Sequence, residues 1–92
     1  MRIVINRQLA WELADQLRRC LTAKERTAVF ADLGGGDESA AIHRLIHIAA
    51  ERNHPLPARM VEELGDWAYA HGAEDHYAPV LSRIQDPLGL HR

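Results

Sequence analysis

The chain has one cysteine, Cys20, among its 92 residues. That excludes an internal disulfide framework and any zinc ribbon built on cysteine thiolates. Only 5% of the residues are aromatic, with a single phenylalanine, so the core must be aliphatic and alanine-rich. No apolar run approaches the roughly 20 residues of a membrane span. Arg7 and Glu12 interrupt any signal-peptide apolar segment at the start. A soluble cytoplasmic protein with no membrane partner is therefore expected. A uniform excess of basic charge is also missing, since the net charge is −2, so no general nucleic-acid footprint is present. Ten arginines stand against one lysine, Lys24. The charge is uneven. Residues 1–30 hold six basic and three acidic groups, hence +3, and residues 31–92 hold five basic and ten acidic groups, hence −5.

What is present is helix-forming sequence with clear punctuation. At 92 residues there is room for one core and one domain, spanning 1–92. Residues 39–52 form the most regular stretch. At about 100° per residue, Ile42, Leu45, Ile46 and Ala49 fall on one narrow stripe, the pattern of a helix laid on a core. His43, His47 and Glu51 recur four residues apart on the opposite side. Gly34-Gly35-Gly36 precedes this helix, with Asp37 or Ser39 as its cap, and Asn53-His54-Pro55 ends it.

Upstream, Leu9, Leu13, Leu17 and Leu21 define the core face of a first helix over about 7–21, and Asn6 is a suitable N-cap. Thr22 and Glu25 have the spacing of a capping box, which predicts a second helix over 23–33 with Val29, Phe30 and Leu33 inward. Thr27-Ala28-Val29-Phe30 also has strand character. Downstream, Pro57 suits the first position of a fourth helix over 57–71. There Met60, Leu64, Trp67 and His71 share a face, with Val61 and Ala68 beside them, and Gly72 ends the helix. A short fifth helix over 78–85 starts near Pro79 and turns Val80, Leu81 and Ile84 inward. The fold class is mainly α, an array of four or five short helices. Met1–Ile5 forms a short strand or extended arm, and 86–92 forms a tail.

Few residues point to chemistry. Two imidazoles at i, i+4, such as His43 and His47, can share a zinc ion, with Glu51 and His54 close behind. The glutamate that follows the first histidine in metalloprotease helices is absent, and the pair lies opposite the apolar stripe, where solvated side chains belong. His43 and His47 are thus weak metal candidates, and neither a metal nor a cofactor is expected. His71, Glu74, Asp75 and His76 are a second dense group of ligand types, split by Gly72; His71 suits a packed position at a helix C-terminus. Cys20 falls on the leucine face, where a thiol is usually inert. Ser39 is a cap, Ser82 has no nucleophile-elbow context, and the glycine triplet lacks the lysine and hydroxyl of a phosphate loop. No catalytic set emerges, so the chain is not expected to be an enzyme.

Two binding readings remain. Trp11 projects about 160–200° away from Leu9 and Leu13, among Asp15 and Arg18, and Tyr69 also points away from its core face. Exposed aromatics are enriched at interfaces. Trp11, Asp15, Arg18 and Tyr69 are therefore the candidate contacts for a protein partner or a second copy of the chain, although another segment could instead cover Trp11. The second reading starts at residues 2–6, where Arg2, Val4 and Asn6 alternate with Ile3 and Ile5 and the chain offers no partner strand. A strand succeeded by two helices, over about 2–33, resembles a ribbon-helix-helix DNA-binding protein. The resemblance implies a dimer whose paired strands enter the major groove, with Arg2, Val4 and Asn6 facing bases. It lacks the glycine-containing turn between the helices, where Cys20-Leu21-Thr22 stands instead.

Overall fold

In the computed structural model, which describes residues 6–85, the chain forms five helices: α1 (Asn6–Gln16), α2 (Ala23–Gly34), α3 (Glu38–Glu51), α4 (Ala58–Ala70) and α5 (Glu74–Ile84). No strand occurs among the described residues, and Thr27–Phe30 is helical. Met1–Ile5, the expected strand or arm, and the tail from 86 onward lie outside the described residues. The radius of gyration, 12.5 Å, is that of one folded domain, about 12 Å for this length.

Helix α3 occupies the centre, packing against α1, α2 and α5, while α4 packs chiefly on α5. Its stripe of Ile42, Leu45, Ile46 and Ala49 is fully buried. Ala41 and Ile48 are buried too, because neighbours on three sides leave a single stripe too narrow for the contact. Leu9 and Leu13 close the core from the first helix, Leu17 from the turn after it, Leu64 and Trp67 from α4, and Leu81 and Ile84 from α5.

The first helix stops earlier than its leucine spacing suggests. After Gln16 the chain tightens into a 3-10 turn, Arg18–Cys20. The cause is the start of the next helix. Thr22 caps α2 in an extended conformation, so α1 must end before it. In that capping box the Glu25 amide donates to Thr22 Oγ1 at 3.1 Å and the Thr22 amide donates to Glu25 Oε1 at 2.9 Å, satisfying two otherwise orphaned donors. Asp37 caps α3 by accepting from the Ala40 amide at 3.1 Å.

Three helices end in the same way. After α2, α3 and α4 a residue with positive φ succeeds the C-cap: Gly36, Asn53 and Gly72. In each case the next amide reaches back five residues, Asp37 to the Asp32 carbonyl, His54 to Ala49 and Ala73 to Ala68, at 2.8–2.9 Å. This is the Schellman arrangement, which pairs carbonyls the helix cannot. Asn53 holds a site that is otherwise glycine's, as asparagine tolerates left-handed backbone best among side-chain-bearing residues.

Several expectations need correction. Phe30 is not in the core but 41% exposed, because Val29 and Leu33, one turn apart, already form the inward edge of α2. Met60 is only half-buried, at the rim. Pro57 is the N-cap of α4 rather than its first helical residue. Helix α5 begins at Glu74, leaving Pro79 inside it; Pro79 is exposed, and the buried Tyr77 and Leu81 on either side hold the helix through the missing hydrogen bond. Leu56, which no periodic pattern marks, is buried because its amide donates to the Ile84 carbonyl at 2.7 Å, pinning the α3–α4 loop to the end of α5.

The glycines around the end of α2 give opposite expectations. Gly34 is helical, Gly36 has φ of 80°, and a Cβ at either would meet nothing within 4 Å. Gly34→Ala should therefore stabilise by about 0.5–1 kcal/mol, whereas Gly36→Ala should destabilise by about 1–2 kcal/mol. Urea unfolding of both variants checks the pair.

Candidate functional site

The histidine face of α3 is not left to solvent. Because Gly72 turns the chain back after α4, the first turn of α5 arrives beside it, carrying His76 and Tyr77. One ligand nitrogen each from His43, His47 and His76 lies within 4.8 Å of the others. The His43 and His47 rings are 4.4 Å apart between centroids, and His76 stands 6.2 Å from His43 and 6.1 Å from His47. His43 and His76 are exposed and His47 is half-buried. Two groups that look unrelated in sequence each contribute to one cluster.

Tyr77 organises it from below. The phenol is buried, its ring packs 5.0 Å from Trp67, and its hydroxyl shares a 2.5 Å hydrogen bond with His43 Nδ1. Burial also raises the Tyr77 pKa above its ordinary value, so the hydroxyl keeps its proton and remains both donor and acceptor. The pKa of His43 lies below the usual imidazole value, first because burial disfavours the charged ring and then because His47, His76 and Arg44 are positive neighbours. Arg44 turns its own charge to Asp32, with Nε 3.1 Å from Oδ2. A groove of about 450 Å³ runs alongside, lined by His43, His47, Glu51 and Glu25.

The other members of the second group stay apart. Glu74 and Asp75 are exposed. His71 is more exposed than a packed histidine; its Nδ1 donates to the Trp67 carbonyl at 2.9 Å, and Asn6 Nδ2 donates to its Nε2 at 3.5 Å. Trp67 Nε1 is buried without a hydrogen-bond partner among the described residues.

Cys20 is half-buried on the 3-10 turn rather than sealed under the leucine face. Its Sγ lies 3.1 Å from His54 Nδ1. Beside them Arg52 donates to the Cys20 carbonyl at 3.1 Å and grips Glu25 with both terminal nitrogens, at 2.8 and 2.6 Å. This paired hydrogen bond, reinforced by the Thr22 amide, holds the Glu25 carboxyl down to about 2. The capping box of α2 is thereby tied to the C-terminal end of α3.

The candidate partner contacts divide. Trp11 is 45% exposed and rests on Phe30, with ring centroids 5.6 Å apart. Asp15 and Arg18 form an exposed ion pair of 3.2 Å, a type that contributes at most about 1 kcal/mol. Tyr69, 71% exposed, belongs elsewhere, beside a groove between α4 and α5 lined by Asp66, Glu74 and Leu81. Phe30 escapes notice as a surface residue in the sequence because its neighbour Val29 makes the whole segment look inward. Arg2 and Val4 lie outside the described residues. Asn6 opens α1 instead of continuing a strand.

Comparison with protein-family models, with curated proteins and with solved structures gives no match. No helix among the described residues is long and apolar enough to cross a membrane.

The Glu25 clamp carries a pH signature. Its carboxyl drops from 4.5 to about 2 on folding, so its stabilisation is complete above 4.5 and is lost as pH falls toward 2. Glu25→Gln keeps a capping amide but loses the ion pair. The variant should be less stable than the wild type at pH 7, with the gap closing steadily below 4.5. Urea unfolding midpoints at a series of pH values test this.

Proposed function

We propose that this protein is a non-enzymatic interaction module that docks an acidic amphipathic helix of another protein on the face formed by Trp11 and Phe30. The observation that carries this reading is the exposed Trp11–Phe30 pair, two large rings side by side on neighbouring helices. Rings of this kind, once desolvated by a partner, dominate binding energy. The charge around them selects the partner. Residues 1–30, which hold both rings, carry +3, and exposed Arg7 and Arg26 each sit one helical turn from one of the rings. An apolar ridge flanked by carboxylates complements that surface, and the opposite charges would speed encounter.

The ribbon-helix-helix reading is less well supported. Two helices alone would need a second copy to cover their apolar faces, whereas here α3 covers both α1 and α2 within one chain.

The test uses a synthetic helical peptide with leucines at i, i+4 and glutamates on its flanks, titrated into isotopically labelled protein and followed by NMR. Shifts should centre on the Trp11 indole and Phe30. Trp11→Ala and Phe30→Ala should each weaken binding about tenfold or more, with the fold intact because both rings are exposed. A lysine-flanked peptide should bind less well. Shifts that fall elsewhere, or unchanged affinity in the double variant, would sink the reading. So would light scattering that shows a dimer lost on Trp11→Ala, since the face would then be occupied by a second copy.

A further inference from the structure

We propose that His43, His47 and His76 form a binding site for a divalent zinc ion, which clasps the first turn of α5 to α3. Three features of the cluster point to a metal rather than to three solvated rings.

The first is distance. Zinc bonds imidazole nitrogen at about 2.0–2.1 Å in tetrahedral geometry, which sets its ligand nitrogens roughly 3.3 Å apart. The three nitrogens here already lie within 4.8 Å of one another. Closing the difference takes small rotations about side-chain torsions, which the exposed His76 can make without disturbing the core.

The second is the hydrogen bond behind His43. A metal-bound histidine ordinarily gives its other ring N–H to a fixed acceptor, which sets the tautomer and the ring plane. Tyr77 oxygen is placed to do this at His43 Nδ1, the tautomer that leaves the Nε2 lone pair for the ion. Tyr77 is itself immobilised, buried between α4 and α5 against Trp67, so the ring is held in place before any ion arrives. Tyr77 and His76 are adjacent on α5. The helix that supplies the third ligand thus also supplies the support for the first.

The third is charge. Three imidazoles gathered this closely repel one another when protonated, which favours the neutral form that ligates. Arg44 is drawn off by Asp32, while Glu51 and Glu25 line the adjoining groove. Imidazole donors suit zinc, copper and nickel, and a three-histidine set leaves a fourth position for water or a further ligand.

His43 and His47 alone would make an ordinary surface pair with weak affinity. The contribution of His76 distinguishes a built site, and the experiment turns on it. Untagged protein, stripped with chelator, is titrated with Zn2+ by calorimetry. Co2+ provides a parallel optical readout of tetrahedral coordination. One equivalent of zinc should bind, with His76→Ala weakening it at least tenfold and Tyr77→Phe weakening it about tenfold. His71→Ala, outside the cluster, should change nothing. Because the ion joins two helices, zinc at a hundred times its dissociation constant should raise the wild-type Tm by about 10 °C or more and raise that of His76→Ala by no more than about half as much. His76→Gln, judged with circular dichroism, separates lost ligation from lost fold. The proposal is overturned if no stoichiometric zinc binds, or if the folded His76 variants bind as tightly as the wild type.

Discussion

Burial of α3 is the constraint on which the rest depends. Ile42, Leu45 and Ile46 are fully covered, each contributing about 1.5–3 kcal/mol relative to exposure. No single neighbour could cover them, so α1, α2 and α5 converge on the same helix. With so few aromatics, close contact is reached through small residues. Ala10, Ala14, Ala41, Ala49 and Ala68 are all buried, allowing short helices to approach without large rings between them.

Helix ends decide how the surrounding elements are placed. Gly36, Asn53 and Gly72 stop three helices with left-handed residues, so each succeeding segment leaves at a defined angle. Between the first two helices the constraint comes from the other side, where the Thr22 capping box ends the preceding helix and Arg52 anchors Glu25 from α3. The loop after α3 is held twice, by Cys20 against His54 and by Leu56 against the end of α5. Local hydrogen-bond chemistry and long-range packing therefore support the same arrangement.

The two surfaces given functional readings differ in physical character. The Trp11–Phe30 face is apolar, open and set in the basic part of the chain, which suits a partner that removes water from it. The histidine cluster is polar and supported from beneath by a buried phenol, which suits an ion. One face stands on the first two helices and the other on α3 and α5.

Much of the fold was determined by the sequence alone. Periodicity marked the buried faces of α1, α3 and α4, while Thr22, Glu25, Gly72 and the Asn53 break marked where helices begin and end. Such signals are local, since a cap or a stripe is specified within a few residues. The boundaries of α5 were less legible, because Pro79 reads as a helix start unless the burial of Tyr77 and Leu81 is known. The placement of His76 and Tyr77 beside His43 and His47, and of Phe30 beside Trp11, was decided only by the tertiary structure. Side chains far apart in the chain meet according to which helix lies across which, and that depends on how the whole core closes. The type of each ligand and ring is written in the chain; their proximity is a property of the packing.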